Sequence, residues 1–310
     1  MTNFTLPLVT VSMTTFNAED TVDRAVRSVL DQTMKNFELL ISDAGSTDST
    51  IRKLLGLANE DSRVRIILSP TQTGWTTLTS SGLSIARGKY FTILDGDDFV
   101  ATNYLEELTV QLNDRHGFAS MAHLIHCDSK GKFVSDHPSS CRSFFFTEIS
   151  SRWLRLMRLI LTPDTHGTCN LLYSLWPTEQ LQQIGFWSSG RDERPDDDLL
   201  FVLRALSQVK ILQVPNTWIC RTIPTAKGTS LITNKMTVGN FKRTRKSSIV
   251  DWNFPFFVQL YRFTLTDLRN VLLIPAIFLR LCIGTLAVPR RKTLAFREFL
   301  LDIYRRYNNF

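Results

Sequence analysis

Residues Tyr90–Asp98, which read YFTILDGDD, join an apolar strand pattern to three carboxylates. The β-branched and aromatic run Tyr90–Leu94 predicts a buried strand. Asp95, Asp97 and Asp98 follow at once, and three ionised carboxylates this close would repel one another strongly in a buried site. A hard divalent cation, Mg²⁺ or Mn²⁺, relieves that repulsion and prefers oxygen ligands. The stretch therefore predicts a strand that ends at a metal site.

The same stretch also indicates what the metal would bind. A metal held by only one or two carboxylates usually takes further ligands from substrate phosphates. Open α/β sheets bind ligands at the carboxyl ends of their strands. We therefore expect a metal–diphosphate site here. The stretch alone leaves an alternative open, a solvated turn in which one Asp caps the next helix.

Strands and helices alternate on both sides of this stretch. The predicted strands are Leu8–Met13, Phe37–Ser42, Val64–Leu68 and Tyr90–Leu94, and the predicted helices are Asp20–Thr33, Ile51–Ala58, Leu78–Ala86 and Thr102–Leu112. This alternation with short turns is typical of βαβ units and a mostly parallel sheet. Polar clusters also follow the first two strands, at Thr14–Asn17 and Asp43–Asp48. Because parallel strands end at the same edge, the sequence predicts one site there.

The second half of the chain is less regular. The expected elements are a strand Ala119–Cys127 entering a hairpin, a helix Arg152–Leu161, a buried strand Cys169–Tyr173, a short helix Pro177–Ile184, and late strands Val209–Val214 and Trp218–Cys220. A further helix runs to Leu206 and opens on Asp196, Asp197 and Asp198. Acids in a first turn also have a structural explanation, because they favour the helix dipole.

Composition excludes some classes of function. The 310 residues carry a net charge of +7 with a pI of about 9.3. No nucleic-acid motif accompanies the basic residues, so nucleic acid is not an expected partner. Five scattered cysteines argue against a disulfide framework and a zinc site, which favours a reducing cytosol. The first residues, MTNFTLPLVTV, do not resemble a signal peptide.

The run Val271–Val288 is strongly apolar but is interrupted by Pro275 and Arg280. A spanning helix needs about 20 apolar residues, so this run is slightly short. Basic residues border it, and they suit anionic lipid. We expect a helix lying in the membrane interface, and the alternative is a buried helix that covers the core.

Three stretches together resemble one family. The opening strand VTVSMTTFN, the run RSVLDQTMKNFELLISDAGSTDST and the run GLSIARGKYFTILDGDD are similar to the signatures of the inverting glycosyltransferases of family 2, which have the GT-A fold. The resemblance implies an α/β fold of GT-A type, with a Rossmann-like, mostly parallel sheet and flanking helices. It implies a glycosyltransferase domain at 1–234, with a nucleotide-sugar half at 1–114 and an acceptor half at 115–234. The resemblance does not extend beyond Lys235, and there the basic residues and the apolar run predict a helical, membrane-associating C-terminal appendage at 235–310.

The resemblance also assigns roles to residues. Those that would bind the nucleotide sugar are Thr14, Thr15, Phe16, Asp43, Gly74, Asp95 and Gly96. Asp97, with Asp95, would hold Mg²⁺ or Mn²⁺, and Asp198, with Asp197 beside it, would be the general base. His166 is a candidate for the acceptor pocket, although a lone histidine is also typical of an ordinary loop.

The chain departs from the family pattern at two places. Ala44 stands where the family often has a second Asp, and Leu78-Thr79-Ser80 stands where it often has Ala-Arg-Asn. The missing Arg removes one possible diphosphate or nucleoside contact. These departures bear on the identity of the donor more than on the chemistry, because the metal acids remain.

The expected function is transfer of a sugar, with inversion, from a nucleotide-diphosphate donor to an acceptor hydroxyl in bacterial cell-surface polysaccharide synthesis. The acceptor would be a glycan or a lipid-linked sugar, reached from the cytoplasmic face of the plasma membrane. One alternative is a non-catalytic protein that binds sugar nucleotides or scaffolds polymer assembly. A metal-dependent phosphatase is disfavoured, because the first strand ends in Thr14-Thr15-Phe16-Asn17 without the nucleophilic Asp of that class.

Overall fold

A computed structural model of the chain describes residues 6–113, 115–134, 144–162, 167–185, 197–223 and 268–277. Within these residues the architecture is α/β, with a mostly parallel central sheet between helices. The fold class expected from the sequence is therefore confirmed.

Among the described residues, the central sheet has five strands in the order β3-β2-β1-β4-β7. The strands are β1 (Val9–Thr15), β2 (Phe37–Asp43), β3 (Val64–Leu68), β4 (Tyr90–Asp95) and β7 (Trp176–Pro177). The first four are parallel, and β7 pairs antiparallel with β4. Every residue of β1 and β2 is buried, because helices cover both faces of the sheet.

Helices accompany the strands in the described part of the chain. They are α1 (Val22–Leu30), α2 (Thr50–Glu60), α3 (Trp75–Ser84), α4 (Tyr104–Leu112), α5 (Arg152–Leu161), α6 (Thr178–Ile184) and α7 (Asp197–Gln208). In α1 the buried residues Val22, Ala25, Val26 and Val29 recur at the spacing of one helix face. The predicted helices are confirmed, with α3 beginning earlier than expected and ending at Ser84 instead of Ala86.

A second sheet has the strand order β5-β8-β6. It contains β5 (Phe99–Val100), β6 (Phe118–Cys127) and β8 (Lys210–Thr222), with β8 parallel to β6 and antiparallel to β5. The two late strands expected from the sequence are one continuous strand, so that prediction was wrong. Ala122 pairs with Val214 and the next residue, His123, pairs with Trp218, so 215–217 form an irregularity. Pro215 cannot donate a ladder hydrogen bond, which explains the interruption that the sequence suggested.

The predicted buried strand Cys169–Tyr173 is also corrected. Thr168–Tyr173 forms a 3-10 helix that begins after Gly167, whose φ is +73°. Its apolar side chains are buried as expected, but a short apolar run does not distinguish a strand from a helical segment. The expected hairpin after β6 is present, because Cys127 bridges Phe133 in antiparallel fashion.

Residues 268–277 pack against α5. The Arg152 guanidinium donates to Asn270 Oδ1 at 2.5 Å, and the Trp153 indole donates to the Leu272 carbonyl at 3.1 Å. Leu273 is buried in the core, whereas Leu272 is 66% exposed. In the part of the chain that the structure describes, no helix is long and apolar enough to cross a membrane. The remainder of the apolar run, 278–288, lies outside the described residues.

Candidate active site

Strands β1, β2 and β4 place their polar ends side by side at one edge of the central sheet. In the strand register Thr14 faces Asp95, and Thr15 faces Asp43. The Thr14 hydroxyl donates to Asp95 Oδ1 at 3.1 Å, and the Thr15 hydroxyl donates to Asp43 Oδ2 at 2.8 Å. The structure therefore brings these predicted site residues together.

Three carboxylates meet where β4 turns into β5. One oxygen from each of Asp95, Asp97 and Asp98 lies within 4.8 Å of the others. The turn is tight, since the Asp98 amide donates to the Asp95 carbonyl at 3.0 Å, and the Gly96 amide ties it to β1 by donating to the Thr14 carbonyl at 2.8 Å. A Cβ on Gly96 would lie 2.6 Å from Thr15 Cγ2, so only glycine fits without a shift of that neighbour. The close fit of Gly96 thus places the acids of the sequence DGDD, residues 95–98, against the end of β1.

Asp95 is held by hydrogen-bond donors from three elements. Besides Thr14, the Trp75 indole donates to Oδ1 at 2.9 Å, and the Tyr173 hydroxyl donates to Oδ2 at 2.7 Å. Trp75 begins α3, and Tyr173 ends the 3-10 helix of the second half. These donors fix the position of the Asp95 carboxylate.

Of the three clustered acids, Asp97 has the carboxylate with the fewest partners among the residues that the structure describes. Among the described residues, the hydrogen bond to this carboxylate comes from its own backbone amide. Burial, and then the charge of Asp95, raise the pKa of Asp97 to about 6. Its backbone carbonyl is held instead, by Arg24 Nη2 at 3.1 Å and by the Thr222 hydroxyl. The backbone is therefore anchored while the acid remains available to a ligand.

Asp98 is buried and faces the second sheet. Its carboxylate accepts from the Thr222 amide at 2.8 Å and from Arg221 Nε at 3.4 Å. Burial, and then the charge of Asp97, raise the pKa of Asp98 well above its usual range, although Arg221 opposes the shift. Asp98 therefore ties the acidic turn to β8.

Arg221 lies among these acids. Its Nη1 donates to Asn170 Oδ1 at 2.9 Å, and its Cζ lies 4.7 Å from the centre of the Tyr173 ring. Its Nη2 is 3.7 Å from Asp95 Oδ2. Burial alone would lower the pKa of Arg221, but Tyr173 and the carboxylates outweigh it and raise the pKa. The site therefore contains a permanently charged guanidinium.

Asp43 organises the neighbouring loop. Its Oδ1 accepts from the amides of Gly45 and Ser46, at 3.0 and 2.7 Å, and its Oδ2 accepts from the hydroxyls of Thr15 and Ser46. A carboxylate has about four acceptor positions, so these donors occupy it fully. Gly45 has a φ of +84°, which favours glycine at this turn. A direct contact between Asp43 and a nucleoside stays a prediction.

The remaining nucleotide-side residues surround this loop. Phe16 is half-buried, and the next residue, Asn17, adopts a φ of +47°. The Asn17 side-chain oxygen accepts from the Thr47 amide at 2.9 Å, which ties the first two polar loops together. Gly74 precedes α3 as its extended N-terminal cap. Ala44, where the family often has Asp, is buried.

The acceptor-side predictions are placed only in part. Helix α7 begins at Asp197, and Asp198 in its first turn is half-buried. The helix packs against the 3-10 helix that carries Asn170 and Tyr173. His166 and the Asp197 side chain lie outside the described residues. The base and acceptor roles therefore stay predictions.

Four partners of the acids were missed by the sequence reasoning: Arg24, Trp75, Tyr173 and Arg221. Each reaches the acids from a different element, and no spacing in the sequence links them. The only local signal was at Trp75, which directly follows the Gly74 already singled out.

The donor set fits a hard divalent cation. All three clustered acids offer oxygen atoms, which Mg²⁺ and Mn²⁺ prefer. Burial and mutual repulsion raise the pKa values of Asp97 and Asp98, so a cation beside them would offset an existing electrostatic cost. Asp97, supported by Asp95, would hold it.

Comparisons with known proteins agree with this geometry. The sequence profile of "Glycosyl transferase family 2" matches residues 10–173, just over half of the chain. An uncharacterized glycosyltransferase of Haemophilus influenzae is 29% identical over 160 residues, which cover 52% of this chain and 64% of that protein. The Escherichia coli UDP-Glc:alpha-D-GlcNAc-diphosphoundecaprenol beta-1,3-glucosyltransferase WfgD is 34% identical over 112 residues, 36% of this chain and 44% of that enzyme. The matches thus span less than two thirds of these relatives.

A solved structure extends the likeness in fold. The crystal structure of S. aureus TarS 1-349 in complex with UDP-GlcNAc superposes with a TM-score of 0.62 at 15% identity. The superposition covers 92% of this chain and 77% of that one. At this identity the likeness concerns the fold alone.

Proposed function

Because this chain belongs to glycosyl transferase family 2, we propose that it transfers a sugar from a nucleoside-diphosphate donor to an acceptor hydroxyl with inversion. The observation that carries the proposal is the cluster of Asp95, Asp97 and Asp98 at the carboxyl edge of the parallel sheet. This edge is where open α/β sheets bind their ligands. A solvated turn would not bury Asp98 or raise the pKa of Asp97 to about 6.

The clustered acids would bind the metal that stabilises the leaving diphosphate. A Mg²⁺ or Mn²⁺ ion held by Asp97 would act as a Lewis acid toward the diphosphate when bound. Asp95 keeps its place through Trp75, Tyr173 and Thr14, so the binding geometry is ready before the donor arrives. Such prearranged charge costs no reorganisation during the reaction.

The acceptor hydroxyl needs a base. A sugar hydroxyl is a poor nucleophile at neutral pH, so a carboxylate within hydrogen-bond reach must take its proton. Asp198, in the first turn of α7, is the proposed base, and His166 is a proposed acceptor contact. Inversion follows if the hydroxyl attacks from the face opposite the diphosphate.

The relatives suggest which substrates to test first. The E. coli relative is named for UDP-Glc and for an acceptor sugar on diphosphoundecaprenol. A Campylobacter jejuni relative, 29% identical over 110 residues, is named as a beta-1,3-glucosyltransferase acting on a PP-undecaprenol-linked glycan. We propose a uridine nucleotide sugar as donor and a lipid-diphosphate-linked sugar as acceptor, used in polysaccharide synthesis at the cytoplasmic membrane surface.

The test is product formation by the purified full chain. UDP-Glc and UDP-GlcNAc would each be incubated with Mn²⁺ and a lipid-diphosphate-linked GlcNAc, followed by measurement of UDP release and of product mass. We expect a β-linked product from an α-linked donor, with no product when Mn²⁺ is removed by EDTA. Binding of a nucleotide sugar without turnover on any acceptor would favour the non-catalytic alternative instead.

A further inference from the structure

The guanidinium of Arg221 lies where an anionic donor would meet the acids. It contacts Asp98 through Nε and Asn170 through Nη1. A guanidinium has five N–H donors, and within the described residues these two contacts leave three of them without a hydrogen bond, with Nη2 held only at ion-pair distance, 3.7 Å, from Asp95 Oδ2. The side chain is 32% exposed, although its neighbour Asp98 is buried. Arg221 therefore has N–H groups that can reach a ligand.

The charges at the site show why such a group is useful. Asp95, Asp97 and Asp98 carry three negative charges when ionised, and Arg24 and Arg221 return two positive charges. In this fully ionised state the protein alone presents one net negative charge to a diphosphate, which would repel it. A divalent cation changes the net charge to one positive, but without Arg221 the loaded site would be neutral. The metal alone does not make the site attractive.

The contacts around Arg221 also set its direction. The Tyr173 ring supports one face of the guanidinium, at 4.7 Å from its centre, and Asn170 holds one edge. Arg24, the other nearby cation, instead directs Nη2 to the backbone carbonyl of Asp97 and stacks on Phe99 at 4.5 Å. Arg221 is thus the cation whose planar guanidinium is fixed beside the carboxylates while some of its N–H groups make no hydrogen bond. A fixed planar guanidinium with available N–H groups suits phosphate oxygens.

We propose that Arg221 binds the diphosphate of the donor beside the metal, as a specificity-determining residue for an anionic leaving group. This inference rests on the proposed function, since it requires a nucleoside-diphosphate donor. Its role differs from that of Asp97, because Arg221 would act on the ligand and not on the metal. The two roles can therefore be separated by measuring metal and nucleotide binding independently.

The experiment uses the full chain and two probes, Mn²⁺ alone and UDP in saturating Mn²⁺, each measured by calorimetry. For Arg221→Met we expect Mn²⁺ to bind equally or more tightly, since a competing positive charge is removed. We expect UDP to bind roughly tenfold more weakly or worse, as for the loss of a charge-assisted hydrogen bond. If Mn²⁺ binding weakens together with UDP binding, Arg221 only holds Asp98 in place, and the proposal is overturned.

A second variant covers the case in which Arg221→Met does not fold. Arg221→Lys keeps the charge but loses the planar fork, so UDP should bind about threefold more weakly while Mn²⁺ binding is unchanged. Wild-type affinity for UDP in Arg221→Lys would then contradict the proposal.

Arg63→Met is the matched control. Like Arg221, Arg63 stacks on an aromatic ring, Phe37 at 4.3 Å, and pairs with a carboxylate, Asp61. Neither of these partners belongs to the acidic turn. Its UDP affinity should equal that of the wild type, and an equal loss there would overturn the proposal as an unspecific effect. If the wild type itself binds neither Mn²⁺ nor UDP, the proposed function fails first.

Discussion

At the scale of single residues, the structure separates the roles of three neighbouring acids. Asp95 is held by three side-chain donors, Asp98 is tied to β8, and Asp97 has only its own amide among the described residues. This division explains why a short acidic motif can serve both folding and binding. It also gives Asp97 the largest expected effect on metal binding.

The first prediction concerns Asp97→Asn. A carboxyl group whose pKa is raised in the folded state destabilises the ionised protein, so the amide should raise the Tm of the metal-free chain at pH 7. Each kcal/mol regained corresponds to roughly 2–4 °C in Tm for a domain of moderate size. At the same time Mn²⁺ should no longer stabilise the protein. Thermal unfolding with EDTA and with Mn²⁺ measures both effects, and a lower Tm with EDTA would show that Asp97 has a structural role.

The second prediction is the pH dependence of metal binding. Protons compete with the metal for Asp97, whose pKa is about 6 in the absence of metal. Mn²⁺ affinity should therefore be full above about pH 7 and should fall as the pH drops through 6. The metal-free protein should show the opposite trend, because the cost of the ionised carboxylate disappears as Asp97 becomes protonated. Calorimetric titrations with Mn²⁺ at several pH values measure this dependence. A Mn²⁺ affinity that stays constant from pH 5 to 8 would exclude Asp97 as the ligand.

The third prediction concerns Asp198. Asn and Asp cap helices about equally well, so Asp198→Asn should leave the Tm almost unchanged. Turnover should fall by the roughly 10²–10⁴-fold typical of a lost general base, while UDP affinity stays the same. Asp197→Asn is the matched control and should lose far less activity. If the two variants lose activity in the reverse order, the base is Asp197.

At the scale of elements, helix α3 crosses β1 at a close contact. A Cβ on Gly82 would lie 2.7 Å from Ser12 Oγ, which is buried and has no hydrogen-bond partner among the described residues. Ser12 therefore contributes little through its hydroxyl but limits the size of residue 82. The contact makes a double-mutant test possible.

The fourth prediction is the outcome of that test. Gly82→Ala should destabilise by about 1–3 kcal/mol, as overpacking does, despite the better helix propensity of alanine. Ser12→Ala should be nearly neutral, and the double variant should recover most of the loss, because the Ser12 Cβ itself would lie at 3.7 Å. Denaturant unfolding of the four proteins gives the coupling. Additive effects would mean that the Ser12 hydroxyl is not what limits the helix.

Elements also show what could be predicted from sequence. Helix and strand periodicity was sufficient for β1–β4 and α1–α4, because each has one regular buried pattern. It failed at Thr168–Tyr173, where a short buried run can take either form, and across Pro215, where one strand continues past a bulge. The carboxylates were predictable from their position after β4. Their partners Tyr173 and Arg221 were not, since tertiary contacts alone bring them to the site.

At the scale of the whole molecule, residues 268–277 pack on the fold and would connect it to the proposed membrane surface. Leu273, Ala276 and Ile277 are buried, whereas Leu272 and Trp153 remain partly exposed beside one another. One face of 268–277 thus packs on α5, and the other presents apolar side chains. The proposed basic region at 235–310 includes Arg290, Arg291 and Lys292, which would suit anionic lipid.

The fifth prediction separates these two faces. Deleting the chain after Pro289 should weaken binding to anionic liposomes at low salt without changing the Tm. Deleting from Val271 should abolish binding and also lower the Tm, because large buried side chains each contribute roughly 1.5–3 kcal/mol. Leu272→Ser should weaken liposome binding, and Val110→Ser, at a similarly exposed residue on α4, should not. A full-length protein that never binds such liposomes would leave the apolar run with a purely structural role.

The central claim is that Asp97 holds a divalent metal for a nucleoside diphosphate. Anomalous diffraction from crystals of the full chain grown with Mn²⁺ and UDP tests it most directly, since it locates the metal and the phosphates together. The account predicts one strong Mn²⁺ peak at the Asp97 carboxylate, with the UDP diphosphate bridging that ion and Arg221. A site containing UDP but no Mn²⁺ at Asp97, or Mn²⁺ bound elsewhere, would contradict it.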